Sequence, residues 1–343
     1  MLLKELTELN GVSGREDKVR SYLRTQIREK VDRVYTDALG NLIAVRGLKC
    51  QGPKVMINAH MDEVGLMVLG IDSSGLLKIG SVGGIDHRVL VSKPVLVGAE
   101  EIPGVIGAKP IHLQEKAERK KPIPLKGLYI DIGAKDREDA GRWVKVGDPI
   151  AFATKSGPFG KGMFKGKALD DRVGCGVLLE LMDLEMDFPL YYTFTVQEEL
   201  GLRGAKVAAY GINPDLALTV EGTSAGDLPE ATAHRVSTKV GKGPAITLMD
   251  GSIIVERRII NGLVSTASAE NIPYQFRELT TGGTDAGAIS LTREGIPSGV
   301  VSVPCRYIHS PVSVLSLDDY HNTVKLVRGF LETQLETVLR DKG

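Results

Sequence analysis

Several apolar runs in this chain end abruptly in carboxylate or imidazole side chains, and this pattern constrains the fold more than any other. Lys54-Val55-Met56-Ile57-Asn58-Ala59 leads into His60-Met61-Asp62-Glu63-Val64-Gly65. Leu190 to Val196 leads into Gln197-Glu198-Glu199, Leu216 to Val220 into Glu221-Gly222-Thr223, and Val300 to Val303 through Pro304-Cys305-Arg306-Tyr307-Ile308 to His309. A short apolar run without alternation reads as a strand buried on both faces. In an open α/β sheet the carboxyl ends of such strands face one crevice, so polar groups remote in sequence meet there.

Helical spacing fills the intervals. Val177, Leu178, Leu181 and Leu184 recur at helical spacing after Asp170-Asp171, and a helix is expected from Arg203 to about Tyr210. Another falls in Val264 to Glu270 and must stop before Pro273; Gly282-Gly283-Thr284-Asp285-Ala286-Gly287 opens a further one; Ser316-Leu317-Asp318-Asp319 caps a long terminal helix. At the other end, Leu2, Leu3, Leu6 and Leu9 suggest a short helix. Ser13-Gly14-Arg15-Glu16 reads as a capping box for a second helix carrying Val19, Tyr22, Leu23 and Ile27 to about Lys30. The expected fold is therefore α/β, a mostly parallel central sheet covered by helices on both faces. Residues 69–163 differ: glycine and proline are frequent, β-branched runs are short and helical periodicity is weak. They read as a small β-barrel-like unit inserted into a discontinuous domain of residues 1–68 and 164–343. Within it, the charged run Gln114 to Lys121 reads as a solvated loop.

Composition excludes some partners. Lys plus Arg equal Asp plus Glu at 43 each, so nothing suggests attraction to nucleic acid or a membrane surface. There is no long uncharged apolar run, and the first residues include an acidic side chain where a signal peptide has none. Cys50, Cys175 and Cys305 are odd in number, far apart and without a CxxC pair. That fits a reducing compartment, and the expected location is the cytoplasm.

The chemistry-bearing candidates are His60 with Asp62, Asp170, the pair Glu198 and Glu199, Glu221, and His309. Each has a bland reading: Asp170 or Asp171 as a helix cap, His60 as a hydrogen-bonded structural histidine, and Arg203 as an ion-pair partner for the glutamates. Taken together, two imidazoles and several carboxylates without thiolates suit a borderline divalent ion such as zinc, cobalt or manganese. Their number exceeds the need of one tetrahedral site and matches two ions sharing a carboxylate. His60 and Asp62, two apart, are expected on one strand face, with the carboxylate behind the imidazole. Glu198 and Glu199 are expected to point oppositely, one as ligand and one as free carboxylate. His87, His112, His234 and His321 lack such neighbours and read as structural or surface groups. Gly157 to Gly162 is followed by Met163 rather than Lys-Ser or Lys-Thr and is no phosphate loop; a Cys305–His309 nucleophilic pair has nothing to support it.

Four of these stretches carry a resemblance. Ala59-His60-Met61-Asp62-Glu63-Val64-Gly65, Leu169-Asp170-Asp171-Arg172-Val173-Gly174, Gln197-Glu198-Glu199-Leu200-Gly201-Leu202-Arg203-Gly204-Ala205 and Arg306-Tyr307-Ile308-His309-Ser310-Pro311 resemble, in order, motifs of the tetrahedral or glutamyl aminopeptidase family of co-catalytic metallopeptidases. The resemblance spans nearly the whole chain. It implies removal of amino-terminal residues from peptides by two divalent ions and a bridging water. One ion would be held by His60, Asp170 and Glu221, the other by Asp170, Glu199 and His309, with Glu198 as general base and Asp62 orienting His60. It further implies a cis peptide between Asp170 and Asp171, and dimers formed through the β unit that assemble into a tetrahedral dodecamer. Many relatives carry Asp where this chain has Glu221. A polysaccharide hydrolase using paired acids is the alternative, but it leaves His60 and His309 without a role. Acidic, basic and neutral side-chain preferences all occur in the family.

Overall fold

The computed structural model describes residues 2–229, 231–232, 236–278 and 280–340; His234 lies outside them. Its central sheet runs, edge to edge, Arg33–Thr36, Leu42–Arg46, Leu190–Thr195, Val55–His60, Leu216–Ser224, Ser298–Arg306, Ser313–Ser316, Met163–Gly166 and Gly157–Pro158. The four middle strands that carry the apolar runs are parallel. Pairing turns antiparallel toward both edges.

Strand periodicity explains the two-sided core. Val55, Ile57 and Ala59 lie on the face that packs against helix Leu169–Glu180, and Leu42 and Ala44 belong to the same core, beside helix Asp17–Ile27. The intervening Ile43, Val45 and Met56 face Ala205, Ala208 and Ile212 of helix Arg203–Ile212 and Ile289 of helix Asp285–Ser290. Successive side chains point to opposite faces, so a strand with helices above and below is apolar along most of its length, and its few polar residues must find partners.

Six antiparallel strands, Gly65–Ile71, Leu77–Val82, Pro94–Val97, Ile102–Ala108, Leu128–Asp131 and Pro149–Phe152, close into a barrel. It has its own core, including Leu66, Val68, Val97, Ile106, Ile130 and Ile150. The helix Arg137–Trp143 was not expected there; it buries only Ala140, so it leaves no apolar stripe to read. The loop of the charged run is exposed.

The second helix runs Asp17–Ile27 without a side-chain cap, which corrects the capping-box expectation. Ser13 instead donates its hydroxyl to Asp62 Oδ2 (2.6 Å), and Glu16 Oε1 accepts from the backbones of Gly14 and Gln197. Both caps have been drawn off to brace the strand ends. The three cysteines are free thiols, and no helix of the described residues is long and apolar enough to cross a membrane.

Candidate active site

His60 ends strand Val55–His60 in register with Thr195, so Gln197-Glu198-Glu199 emerge beside it. Glu221 lies near the end of Leu216–Ser224, and His309 follows Ser298–Arg306 by three residues. Asp170 enters from the helix Leu169–Glu180. Six of the seven predicted chemical groups line one cavity of about 720 Å³; the seventh, Asp62, lies behind His60. A larger open groove of about 1060 Å³, beside Arg46 and Met186, has no histidine.

Asp170 is the geometric centre. Its Oδ1 lies 3.3 Å from His60 Nε2 and its Oδ2 3.5 Å from His309 Nε2. Glu199 Oε1 is 3.4 Å from the same His309 nitrogen, and Glu198 Oε2 is 3.9 Å from His60 Nε2. On the far side of each ring, His60 Nδ1 sits 3.3 Å from Asp62 Oδ1, and His309 Nδ1 is 2.8 Å from the Gly84 carbonyl of the barrel.

The neighbouring aspartate does the capping. Asp171 Oδ1 accepts the N–H groups of Gly174 (2.9 Å) and Gly222 (3.1 Å), and its Oδ2 accepts that of His60 (3.0 Å). It thus ties the helix start to two strand ends, leaving Asp170 free; the peptide between them is cis. Asp62, fully buried, accepts from Ser13, from the backbone of Glu198 (2.9 Å) and from that of Glu199 (3.2 Å).

Two geometric premises need correction. Asp62 lies beyond the end of its strand, and Glu198 and Glu199 lie in a turn after Leu190–Thr195. Strand alternation therefore does not set their directions, and both glutamates face the cavity. Arg203 makes no ion pair with either among the described residues. Non-glycine residues with left-handed backbones crowd this rim: Ala168, Gln197, Leu202, Tyr307 and His309 all have φ between 52° and 63°. Each costs on the order of 1 kcal/mol or more, the kind of strain that persists where surrounding structure imposes it.

The electrostatics call for a cation. Burial opposes charge on both imidazoles, yet Glu198, Asp170 and Asp62 hold the His60 pKa well above the usual range, and Asp170 with Glu199 raises that of His309 to about 9. Asp170, despite burial, is held well below the carboxylate range by the two imidazoles. Burial and like-charged neighbours push Glu199 up to about 7, and Glu198 and Glu221 well above the ordinary value. No lysine or arginine pairs with these carboxylates among the described residues. Several buried carboxylates that no lysine or arginine neutralises, set beside two imidazoles, fit a divalent ion. Two sets of donor atoms lie within 4.8 Å of one another: His60, Glu198 and Glu199, and Asp170, Glu199 and His309. The second equals one ligand set implied by the family resemblance; Glu221 is in neither set but lines the same cavity.

Residues 40–326, a range that includes all four motif-bearing stretches, match the model of the M42 glutamyl aminopeptidases. The chain belongs to the M42 glutamyl aminopeptidase family. Membership makes it a metallopeptidase hydrolase of the aminopeptidase class. It is 44% identical to a putative aminopeptidase of Acetivibrio thermocellus over 95% of this chain and 96% of that protein. An aminopeptidase structure from Desulfurococcus kamchatkensis superposes with a TM-score of 0.94 at 38% identity, covering 100% of this chain and 97% of the other. The TET1 peptidase of Pyrococcus horikoshii, described as assembling into a tetrahedron or a large octahedral shell, gives 0.85 at 35% identity, covering 96% and 98%.

Two features of this cavity and its surroundings are not legible in the sequence. Asp285 is buried beneath the cavity, its Oδ2 accepting from Asn58 Nδ2 (2.8 Å) and Thr195 Oγ1 (2.5 Å), and burial raises its pKa. Arg277 is on the cavity wall. Asp285 lies in Gly282–Gly287, a helix start whose spacing assigns no role to its residues, and nothing in the glycines and threonine around it shows that two other strands supply its donors.

Proposed function

We propose that this enzyme removes residues from the free amino termini of peptides through a two-ion site. His60, Asp170 and Glu221 would hold one ion, and Asp170, Glu199 and His309 the other, with zinc or cobalt the best match to this donor set and manganese also suited. The observation that carries the reading is Asp170, with one oxygen toward each histidine. When bound, the ions supply Lewis acidity, lowering the pKa of a shared water and polarising the scissile carbonyl.

The chain's own groups do the rest. Glu198, close to His60 and raised in pKa, is suited to take a proton from water and deliver it to the leaving amine. Asp62 holds the His60 ring by its Nδ1 side, leaving Nε2 toward Asp170. The free amine of a substrate has carboxylates to meet in the same cavity, which confines cleavage to the chain end.

We divide the chain into a catalytic domain, residues 1–68 and 164–343, and an inserted domain, residues 69–163, that mediates dimers and then a tetrahedral dodecamer. Supporting this, Leu69, Val105, Ile111, Leu113 and Val146 are exposed apolar side chains of the inserted region, and the TET1 relative forms a tetrahedron. Three free thiols fit a cytoplasmic enzyme.

The test combines metal analysis with peptide hydrolysis. Two equivalents of divalent metal per subunit are expected, with release of the first residue from free but not N-acetylated peptides. Glu198→Gln should keep its metal and lose about 10²- to 10⁴-fold in turnover. Equal cleavage of acetylated peptides, or a fully active variant, would sink the reading.

A further inference from the structure

The two histidines of the cavity are held very differently. His60 ends a buried strand and its side chain is 3% exposed, whereas that of His309 is 39% exposed and sits in the loop after Ser298–Arg306. Two residues of this loop, Tyr307 and His309, have left-handed backbones, with φ of 63° and 56°. Packing does little to fix His309, and its backbone must be held in a conformation that a residue with a side chain disfavours.

The ring is held from the barrel side. Its Nδ1 lies 2.8 Å from the Gly84 carbonyl, which turns Nε2 toward Asp170 and Glu199. The backbone is held from the sheet. Arg306 donates through Nε to Asp227 Oδ1 at 2.9 Å and through Nη2 to Asp227 Oδ2 at 2.6 Å, a bidentate pair. Asp227 follows Leu216–Ser224, the strand that carries Glu221, and just before it the Ala225 N–H donates to the Cys305 carbonyl at 2.8 Å. The ion pair thus carries the pairing of these two strands past the end of their ladder at Ser224 and Cys305. Asp227 Oδ2 also accepts the Val240 N–H at 3.3 Å, and the Ser310 and Ser313 hydroxyls donate to the Tyr307 carbonyl at 2.6 and 3.1 Å. Neither Arg306 nor Asp227 lines the cavity. With side chains 29% and 17% exposed, the pair adds little to overall stability, so its effect is on the loop it closes.

We propose that the Arg306–Asp227 pair is a positioning clamp: it fixes the loop that carries His309 and so sets the affinity of the ion held by Asp170, Glu199 and His309. This rests on the two-ion reading above and deepens it by naming residues that govern one of the two sites. Ligand distances in a metal site tolerate only about 0.2 Å, so slack in this loop shows as lost affinity at that site. The ion held by His60, Asp170 and Glu221 uses no residue of the loop.

Calorimetric titration of chelator-treated enzyme with zinc tests the clamp. The wild type should take up two ions, and His309→Ala marks which equivalent belongs to the His309 set. Arg306→Gln and Asp227→Asn should each weaken that equivalent by about 10- to 100-fold, the usual cost of removing a partner that orients a ligand, and leave the other unchanged. The double variant should be no weaker than either single one, because the two side chains act as a unit. Arg306→Lys, which keeps the charge without the fork, should recover part of the loss. Melting temperatures of the metal-free variants give the structural readout and should stay close to that of the wild type. Variants that keep both affinities, or that weaken both ions alike, overturn the clamp. Uptake of fewer than two ions by the wild type overturns the two-ion reading, and the clamp with it.

Discussion

Asp62 Oδ1 accepts the backbone N–H of Glu198 at 2.9 Å, so the carboxylate behind His60 also fixes the residue proposed as general base. Asp62 accepts on both oxygens, from Ser13 and Glu199 on Oδ2 and from Glu198 on Oδ1. Asn in its place must aim an NH₂ at one of these donors. Asp62→Asn should therefore cost about 10- to 100-fold in metal affinity or activity. Metal titration and peptide hydrolysis check this, and a variant within twofold of wild type on both contradicts it.

A fully buried charge cluster braces the same motifs. Lys167 Nζ lies 2.6 and 2.8 Å from the oxygens of Glu63, and the Arg172 guanidinium lies 3.5 Å from Glu63 while donating to the carbonyls of Met61, Leu6 and Leu9. Glu63→Gln leaves two buried cations without a counter-charge and should lower stability by about 3–5 kcal/mol. Urea unfolding measures this; a loss under about 1 kcal/mol would show that water reaches the cluster.

Two helical glycines should respond oppositely to alanine. A Cβ on Gly174 would lie 2.3 Å from the Val220 carbonyl oxygen and 2.5 Å from both Asp171 carboxylate oxygens, so Gly174→Ala should disturb the helix start and weaken metal binding. A Cβ on Gly141 in helix Arg137–Trp143 meets nothing within 4 Å. Gly141→Ala should stabilise by roughly 0.5–1 kcal/mol through helix propensity. Thermal unfolding of both variants, with the same sign of shift, would contradict the packing account.

The pH response should reverse with metal. Without metal, Glu199 is raised from 4.5 to about 7 and His309 from 6.5 to about 9. The folded protein then binds more protons than the unfolded chain in those windows, so both contributions are fully present at low pH and fade as pH rises through about 7 and about 9. Chelated enzyme should therefore melt lower at pH 9 than at pH 6. Metal must displace these protons, so on the proposed ligand set its affinity should rise over the same range. Melting curves with and without chelator test the sign.

Much of this is legible in the sequence. The apolar runs ending at His60, Val196, Val220 and Val303 specified buried parallel strands, because a strand covered on both faces is apolar along most of its length. The polar residues at their ends marked the crevice. Arg137–Trp143 was not legible, since a helix that buries one alanine carries no period. Neither was the diversion of Ser13 and Glu16 from capping to bracing Asp62 and Gln197. Local sequence offers those side chains a nearby helix, and only the folded chain offers a better partner.

The roles of the two adjacent aspartates mark the same division. By itself the sequence determined that carboxylates and imidazoles cluster at strand ends and that a helix starts at Leu169-Asp170-Asp171. Tertiary structure decided that Asp171 takes three backbone N–H groups while Asp170 faces His60 and His309. It also decided that Arg277 and Asp285 join the site. Pattern along a chain reports which face of an element is buried, whereas the partner a polar group finds depends on segments more than a hundred residues away, such as Gly84 beside His309.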